Sequence, residues 1–393
     1  MNTSRENCAS NGPVRTEPGR RRTGRSRILP ALAAVAVAIT MSACGSNSAA
    51  SGTSSDAEPD AAGLEWAANT VAEGETRPAT IPVTDPITKP IPTGKNLLWI
   101  NAGAASSNLN KQIYEQATAL LGWNLTIINT DGSAGETKNA WVQAVQQKPD
   151  AVLDSGSPKE LFATELEQLK AQGTLVVVNT ATFDAGDGIV AVLGGITDAL
   201  RTGELLGAWV IDDSKGTGSA LVVNSPSYDY LNRVSTSVAD TVAQHCPTCS
   251  TEAMDVSFAQ LTNVNAQIVA YLSSHRDVEY VVLSSDNLGH GLSAALAAAG
   301  LSDVKIIGSG PDDTSWGYLQ NGEASADISF GYYEIGFSMI DALARSFAGV
   351  DLPDYPHMPL WIMTPDAVAD IDEFPFPVVP DYLDQFKTAW NVS

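Results

Sequence analysis

The chain has 393 residues, 44% of them hydrophobic, and a formal net charge of −23 from 22 Lys and Arg against 45 Asp and Glu. Recurrent apolar runs exclude a disordered chain, and an acidic balance with no basic stripe argues against binding to nucleic-acid phosphates or to anionic membrane surfaces. The part that remains after the N-terminal leader is longer than one compact core usually holds, so two lobes are expected.

The leader comes first. Residues 20–27 are basic, and 28–43 form a 16-residue apolar run that closes on Met41-Ser42-Ala43-Cys44. That pattern is a secretory signal sequence, and the run is too short for a comfortable transmembrane helix. Small residues directly before a Cys resemble the lipobox of bacterial lipoproteins, so residues 1–43 are expected to be removed and Cys44 to carry the lipid. Arg21-Arg22 lacks the following hydrophobic residues of a twin-arginine signal, which favours the general secretory route. Seven Arg and two Glu leave with the leader, so the remainder carries 15 basic and 43 acidic residues. Residues 44–94, with five prolines between Pro78 and Pro92, read as an extended, solvated tether in which Trp66 is either a docking residue or a stray aromatic.

Beyond Gly94, short runs rich in Val and Ile alternate with stretches of helical period. Strands are expected at 97–101, 125–129, 151–153, 175–179, 189–193, 220–223, 252–256, 280–283, 305–307, 326–330 and 360–364. Helices are expected at 110–121, 135–147, 158–172, 199–212, 231–245, 261–274, 289–299, 314–321 and 332–347. Apolar strands alternating with helices mean an α/β fold with parallel sheets covered on both faces. Ligands of such sheets sit outside the carboxyl ends of the strands, so the loops there hold the candidate site.

The ordered elements resemble the ribose-binding-like group of type I periplasmic binding proteins, the extracytoplasmic receptors of ABC importers. The resemblance runs from about Lys95 to Thr364. Ala117-Thr118-Ala119-Leu120-Leu121-Gly122-Trp123 is similar to that family's first helix and approach to its second strand. Lys148-Pro149-Asp150-Ala151-Val152-Leu153 looks like the motif at its third strand, and Leu169-Lys170-Ala171-Gln172-Gly173-Thr174 followed by Leu175-Val176-Val177-Val178 like its fourth. Asp198 with Gly203 and Gly207 is similar to the first passage between lobes. Ser284-Ser285-Asp286-Asn287 stands in the place of its Asn-Asp segment, and Ile335-Gly336 marks the helix after the second passage. Phe386-Lys387-Thr388-Ala389-Trp390 resembles the ending of some actinobacterial lipoproteins.

The resemblance implies two Rossmann-like lobes joined by three crossover strands, closing like a hinge on a ligand between them. Residues 95–197 with 331–357 would form the N-terminal lobe, and 198–330 with 358–393 the C-terminal one. Sugar-binding relatives typically carry a carboxylate–guanidinium pair after the fourth strand, where this chain has the uncharged Asn179-Thr180-Ala181-Thr182-Phe183. They carry an Asp where it has Ser309-Gly310-Pro311, and often a Gln where it has Phe330, followed by Tyr332 and Tyr333. A pocket with Phe183, Tyr228 and Phe330 and few charges suits a flatter, more apolar ligand, held by stacking and a few amide hydrogen bonds. A sugar held through Asn101, Asn224 and Asp286 is the alternative.

Other chemistry finds less support. Cys246-Pro247-Thr248-Cys249 after His245 fits a redox motif, part of a zinc site or a disulfide; outside the cytoplasm the disulfide between Cys246 and Cys249 is favoured. The remaining histidines have no zinc-ligand spacing, and Asp312-Asp313 reads as a helix cap. The first loop has one Gly, so no dinucleotide fingerprint is present, and no nucleophile elbow or Walker lysine follows. The expectation is therefore a lipid-anchored solute-binding protein, monomeric and without cofactor, metal or catalysis, that hands a small molecule to an ABC permease with its ATPase. The rival is the same fold reporting occupancy to a membrane sensor kinase. The ligand-binding candidates are Asn101, Ser106, Asn179, Phe183, Tyr228, Asp286 and Phe330.

Overall fold

The computed structural model describes residues 58–103, 106–226, 228–257, 261–353, 355 and 357–392. The signal sequence, Cys44 and the first part of the expected tether lie outside the described residues. Inside that expected tether, Ala61–Gly74 is a helix (α1), which corrects the reading of 44–94 as extended chain from end to end. Asp60 caps it, accepting from the amides of Ala62 and Gly63. Trp66 is the docking residue of the two choices, because its ring stacks on His245 with centroids 3.6 Å apart.

The first sheet contains Asn96–Asn101 (β1), Asn124–Asn129 (β2), Ala151–Ser155 (β3), Leu175–Asn179 (β4) and Ile189–Leu193 (β5), all parallel in the order β2-β1-β3-β4-β5. Between these strands run Ser107–Leu120 (α2), Ala134–Gln147 (α3) and Lys159–Gln172 (α4). Alternate residues of each strand feed the two faces, as a parallel sheet requires. Leu97, Trp99 and Val177 point to one core with Tyr114 and Ala117, while Leu98, Ile100, Val176 and Val178 point to the other with Trp141 and Phe162. Trp141 and Phe162 stack with centroids 4.0 Å apart and close that second layer.

Ile196–Asp213 (α5) carries the chain into the second sheet. It contains Ser219–Asn224 (β6), Ser250–Asp255 (β7), Tyr280–Leu283 (β8), Lys305–Ser309 (β9), Ala326–Ile328 (β10) and Ile362–Met363 (β11), ordered β11-β10-β9-β8-β6-β7, with only β11 antiparallel. Its helices are Asp229–His245 (α6), Leu261–Ser274 (α7), Leu292–Ala298 (α8) and Asp313–Gln320 (α9). Two of the outermost strands are weakly buried: β7 exposes Ser250, Glu252, Ala253 and Asp255, and β2 exposes Asn124, Thr126 and Asn129. β10 ends earlier than expected because Ser329 leaves its neighbour strand to exchange two hydrogen bonds with Trp361. α8 begins later than expected, after a 3-10 turn at Asp286–Leu288 and the left-handed Gly291.

Tyr332–Ala348 (α10) returns to the first sheet and packs against α2. The last helix, Tyr382–Trp390 (α11), corrects the placement of the whole tail with the C-terminal lobe. β11 does pair in the second sheet, but Phe386 and Trp390 sit in the core of the first, around Phe337 of α10. The aromatic face of α11 has its partner there, and burying it there decides the matter.

α1 lies on the other lobe, against α5 and α6. Ala67 packs with Ile211, Val242 and Cys246, and Cys246 is joined to Cys249 by a disulfide. A Cβ on Gly63 would stand 1.8 Å from the carbonyl oxygen of His245, so only glycine permits this approach. Gly63→Ala is therefore expected to lift α1 off while the rest of the protein stays folded. Trp66 fluorescence would move to the wavelength of a solvated indole; an unchanged spectrum would mean that α6 yields instead.

Candidate functional site

The loops at the carboxyl ends of both sheets approach one another. Thr182, after β4, donates its hydroxyl hydrogen bond to Asp229 at the start of α6, which joins the two lobes across the gap between them. Phe183 and Tyr228 are the chain neighbours of that pair, so these two candidates are brought to the same place. Phe183 is half-buried, edge-on to Phe162 and beneath the Lys159 ammonium, whereas Tyr228 is 55% exposed.

Two asparagine candidates serve their own lobe. Asn101 Oδ1 accepts from Gly103 N and from Ser107 Oγ, at 3.1 and 2.6 Å, and its Nδ2 donates to Asn129 Oδ1 at 2.9 Å. Those bonds stitch the first two loops together. Asn179 is buried, donates to the Tyr114 hydroxyl at 3.4 Å and accepts from Thr180 Oγ1 at 3.2 Å. Ser106 precedes α2, and both its hydroxyl and its carbonyl accept from Asn110, from Nδ2 at 3.5 Å and from the amide at 2.9 Å. Asp154 lies beneath the third loop, accepting from Ser157 N and Oγ, and burial pushes its carboxyl up to about 6 against those donors.

The passage between lobes holds an aromatic group. Phe330 packs edge-on to Tyr332 with centroids 4.7 Å apart. Burial raises the Tyr332 phenol first, and the charges of Asp286, Asp312 and Asp327 raise it further. Tyr230, on the first turn of α6, is raised by burial and then by Asp198, against a hydrogen bond to Thr202, and it also feels Tyr332. Asp198 accepts from the Met358 amide at 2.6 Å and so ties the first passage to the third; burial raises its carboxyl, with the His357 charge opposing.

Asp286 is fully buried and does not face open solvent. Its Oδ1 occupies the space that a side chain at 308 would need: a Cβ on Gly308 would lie 1.9 Å from it. Across a cavity of about 20 Å³, shared with Ser315 and Tyr318, stands Asp327, equally buried. That volume is room for about one water. Among the described residues, Asp286 Oδ2 and Asp327 Oδ1 meet no hydrogen-bond donor, while the Asp286 carboxyl is held by the side chains of Asp327 and Ser315. Burial raises both carboxyls, and for Asp327 the neighbouring Asp286 charge adds to the rise, so full ionisation of the pair is opposed. Asp312 caps α9 and pairs with His290 at 2.8 Å.

Sequence reasoning missed Tyr230, Tyr332 and Asp327 as members of this region. Tyr332 stood two positions after the chosen Phe330, and Asp327 interrupts an otherwise apolar strand, which was its one signal. Among the described residues, no group of three or more His, Cys, Asp or Glu is placed to hold a metal, and no helix is long and apolar enough to cross a membrane. The arrangement offers stacking surfaces, amides and hydroxyls in a negative field, which is the chemistry of holding a molecule.

No curated protein matches the chain in sequence. Solved structures do match in fold. The periplasmic ribose ABC transporter protein from Conexibacter woesei DSM 14684 is similar with a TM-score of 0.64 at 16% identity, over 72% of this chain and 95% of that one. GanP, a glucose-galactose binding protein from Geobacillus stearothermophilus, gives 0.62 at 20% identity, over 72% and 100%. A solute-binding protein from Actinobacillus succinogenes 130z, solved with bound D-allose, gives 0.63 at 14%, over 70% and 99%. The family model described as a periplasmic binding protein domain matches residues 94–349, most of the two-sheet body, and the chain belongs to that family.

Proposed function

We propose that this protein is the solute-binding component of an ABC importer, anchored outside the cytoplasmic membrane by a lipid on Cys44. It captures a small molecule between its lobes and presents the closed form to the permease and its ATPase, with no catalytic step of its own. The observation that carries the ligand reading is the aromatic group Tyr230, Phe330 and Tyr332 at the passage between lobes, backed by the carboxylates Asp286, Asp312 and Asp327. Rings stack on a flat apolar face, and the negative field disfavours an anion. An uncharged aromatic or alicyclic compound fits best.

A sugar is the second reading. It is favoured by the solved neighbours, among them the glucose-galactose binding protein and the protein holding D-allose. A thermal-shift screen separates the two, because a ligand that binds only the folded form at 100 times its Kd stabilises it by about 2.7 kcal/mol. Aromatic or alicyclic compounds are expected to raise Tm, and Phe330→Ala or Tyr332→Ala to abolish the rise. A response confined to pentoses or hexoses would replace the first reading by the second, and a response only to organic anions would overturn both.

A further inference from the structure

The chain passes between the lobes more often than the two-sheet body requires. Three passages belong to that body: 194–196 into α5, 329–331 into α10, and 349–361 back to β11. The tail adds a fourth, from β11 in the second sheet to α11 in the first core. Residues 75–80 make a fifth. Before them, α1 is fixed to the second lobe, with Val71 in its core and Gly74 against Ile362 and Leu205. After them, Ile81 and Ile87 are buried in the core of the first lobe.

The fifth passage is bonded both to the end of the third, at Trp361, and to the fourth. Trp361 Nε1 donates to Glu75 O at 2.9 Å. Arg77 donates to the carbonyls of Val378 and Pro377 at 3.0 and 2.8 Å, with its guanidinium 5.1 Å from the Trp361 ring and 5.5 Å from that of Phe376. Gln385 then clasps the incoming chain from both sides, donating to Ala79 O and accepting from Ile81 N. Farther along, Ile87 N donates to Ala389 O at 2.7 Å, and Asn391 Nδ2 donates to Ile87 O. Glu334, at the start of α10 where the second passage ends, accepts from Val379 N at 2.7 Å and lies in the field of Arg77.

We propose that residues 75–93, pinned by Arg77 to the C-terminal tail, are a strap across the hinge that limits how far the two lobes open. Lobe rotation concentrates its change in a few passage residues. A segment buried at both ends in different lobes must stretch or detach when the lobes separate. The six residue steps from Glu75 to Ile81 reach at most about 20 Å when fully extended, which sets the slack. Charge-assisted hydrogen bonds and a stacked guanidinium hold the middle of the span, so each increment of opening works against them. The strap is bonded at the hinge itself, to Trp361 where the third passage ends and beside Glu334 where the second ends, which makes it a stiffener.

The test needs no ligand. Nitroxides on ketone-bearing residues incorporated at the exposed positions 136 and 262, one per lobe, report the interlobe distance by pulsed electron resonance in the full chain. Arg77→Ala with Gln385→Ala is expected to lengthen and broaden the ligand-free distance distribution. Amide exchange at Ile81 and Ile87 should accelerate by about tenfold or more as the clasp is lost. Removal of residues 58–93 should broaden the distribution further. If that deletion fails to fold, the double variant decides, since amide exchange shows that its strap has been released. An unchanged distribution with the strap released would overturn the proposal, as would a native distribution already as broad as that of the variants. A lower Tm without a change in distance would leave the segment as packing alone and would also overturn it.

Discussion

Asp341→Ala is expected to lower the unfolding free energy by about 3–5 kcal/mol, the cost of stranding one member of a buried ion pair. Asp341 and Arg345 sit one turn apart on α10 with side chains 1% and 3% exposed, at 2.7 Å. The carboxylate also accepts from the Tyr355 hydroxyl and from Trp390 Nε1, both at 2.8 Å, while Arg345 reaches on to Asp85 O at 2.6 Å. One carboxylate thus holds α10, α11 and the segment before β1 together. Against a total stability of roughly 5–15 kcal/mol, its loss brings the protein near its folding threshold. Urea unfolding of Asp341→Ala beside Asp341→Leu/Arg345→Met measures this. The double variant should recover most of the loss, because apolar replacement of a whole buried pair is often neutral. A loss below about 1 kcal/mol in the single variant would show that Arg345 finds another partner and that the pair is not the organising contact.

Asp327→Asn is expected to stabilise the protein in alkaline solution. Asp286 and Asp327 both titrate above the ordinary carboxylate range in the folded protein, because burial opposes their charge and, for Asp327, because Asp286 does too. In the unfolded chain they ionise near pH 4, so above about that value the unfolded state has released protons that the folded state still holds. Their contribution to stability is therefore complete in acid and is lost as pH rises toward the folded values. An amide at 327 can donate to Asp286, and it cannot ionise. Thermal unfolding at pH 4, 6 and 8 should show the variant gaining on the native protein as pH rises, by about 1–3 kcal/mol at the alkaline end, the scale of one uncompensated buried polar group. Equal slopes for the two proteins would refute the raised titration of the pair. Asp154, Asp198 and Glu334, also raised by burial, add a slope of the same sign to both proteins and do not affect the difference.

The parallel sheets were legible because both faces of each strand are buried, so Val176-Val177-Val178 and Leu221-Val222-Val223 stand out without alternation. α1 was not. Leu64, Ala67 and Val71 do make a helical stripe, but Ala- and Pro-rich surroundings hide it, and its stability comes from a groove formed far away by His245, Cys246 and Ile211. α11 showed its apolar period, yet nothing local says which lobe receives Phe386 and Trp390. At the site, Asn101 and Asn179 had the right chemistry for hydroxyl ligands, and only the structure reveals that Ser107, Asn129, Tyr114 and Thr180 already occupy them. Asp286 read either as a ligand acceptor or as a helix cap. Its partner, Asp327, is 41 residues away in sequence and directly opposite in space.

The weakly buried outer strands bear on how copies of this protein behave in company. A sheet edge presents unpaired N–H and C=O groups to any passing chain, and natural proteins guard against such pairing with charge or with brevity. β7 turns Glu252 and Asp255 outward, so two copies meeting at that edge would bring carboxylates together. On the opposite side the sheet stops at β11, two residues long and too short to seed a ladder. β2 exposes Asn124, Thr126 and Asn129, polar side chains that give a stacked sheet no dry face to bury. The same economy that leaves β7 and β2 poorly packed makes them poor templates for amyloid-like growth.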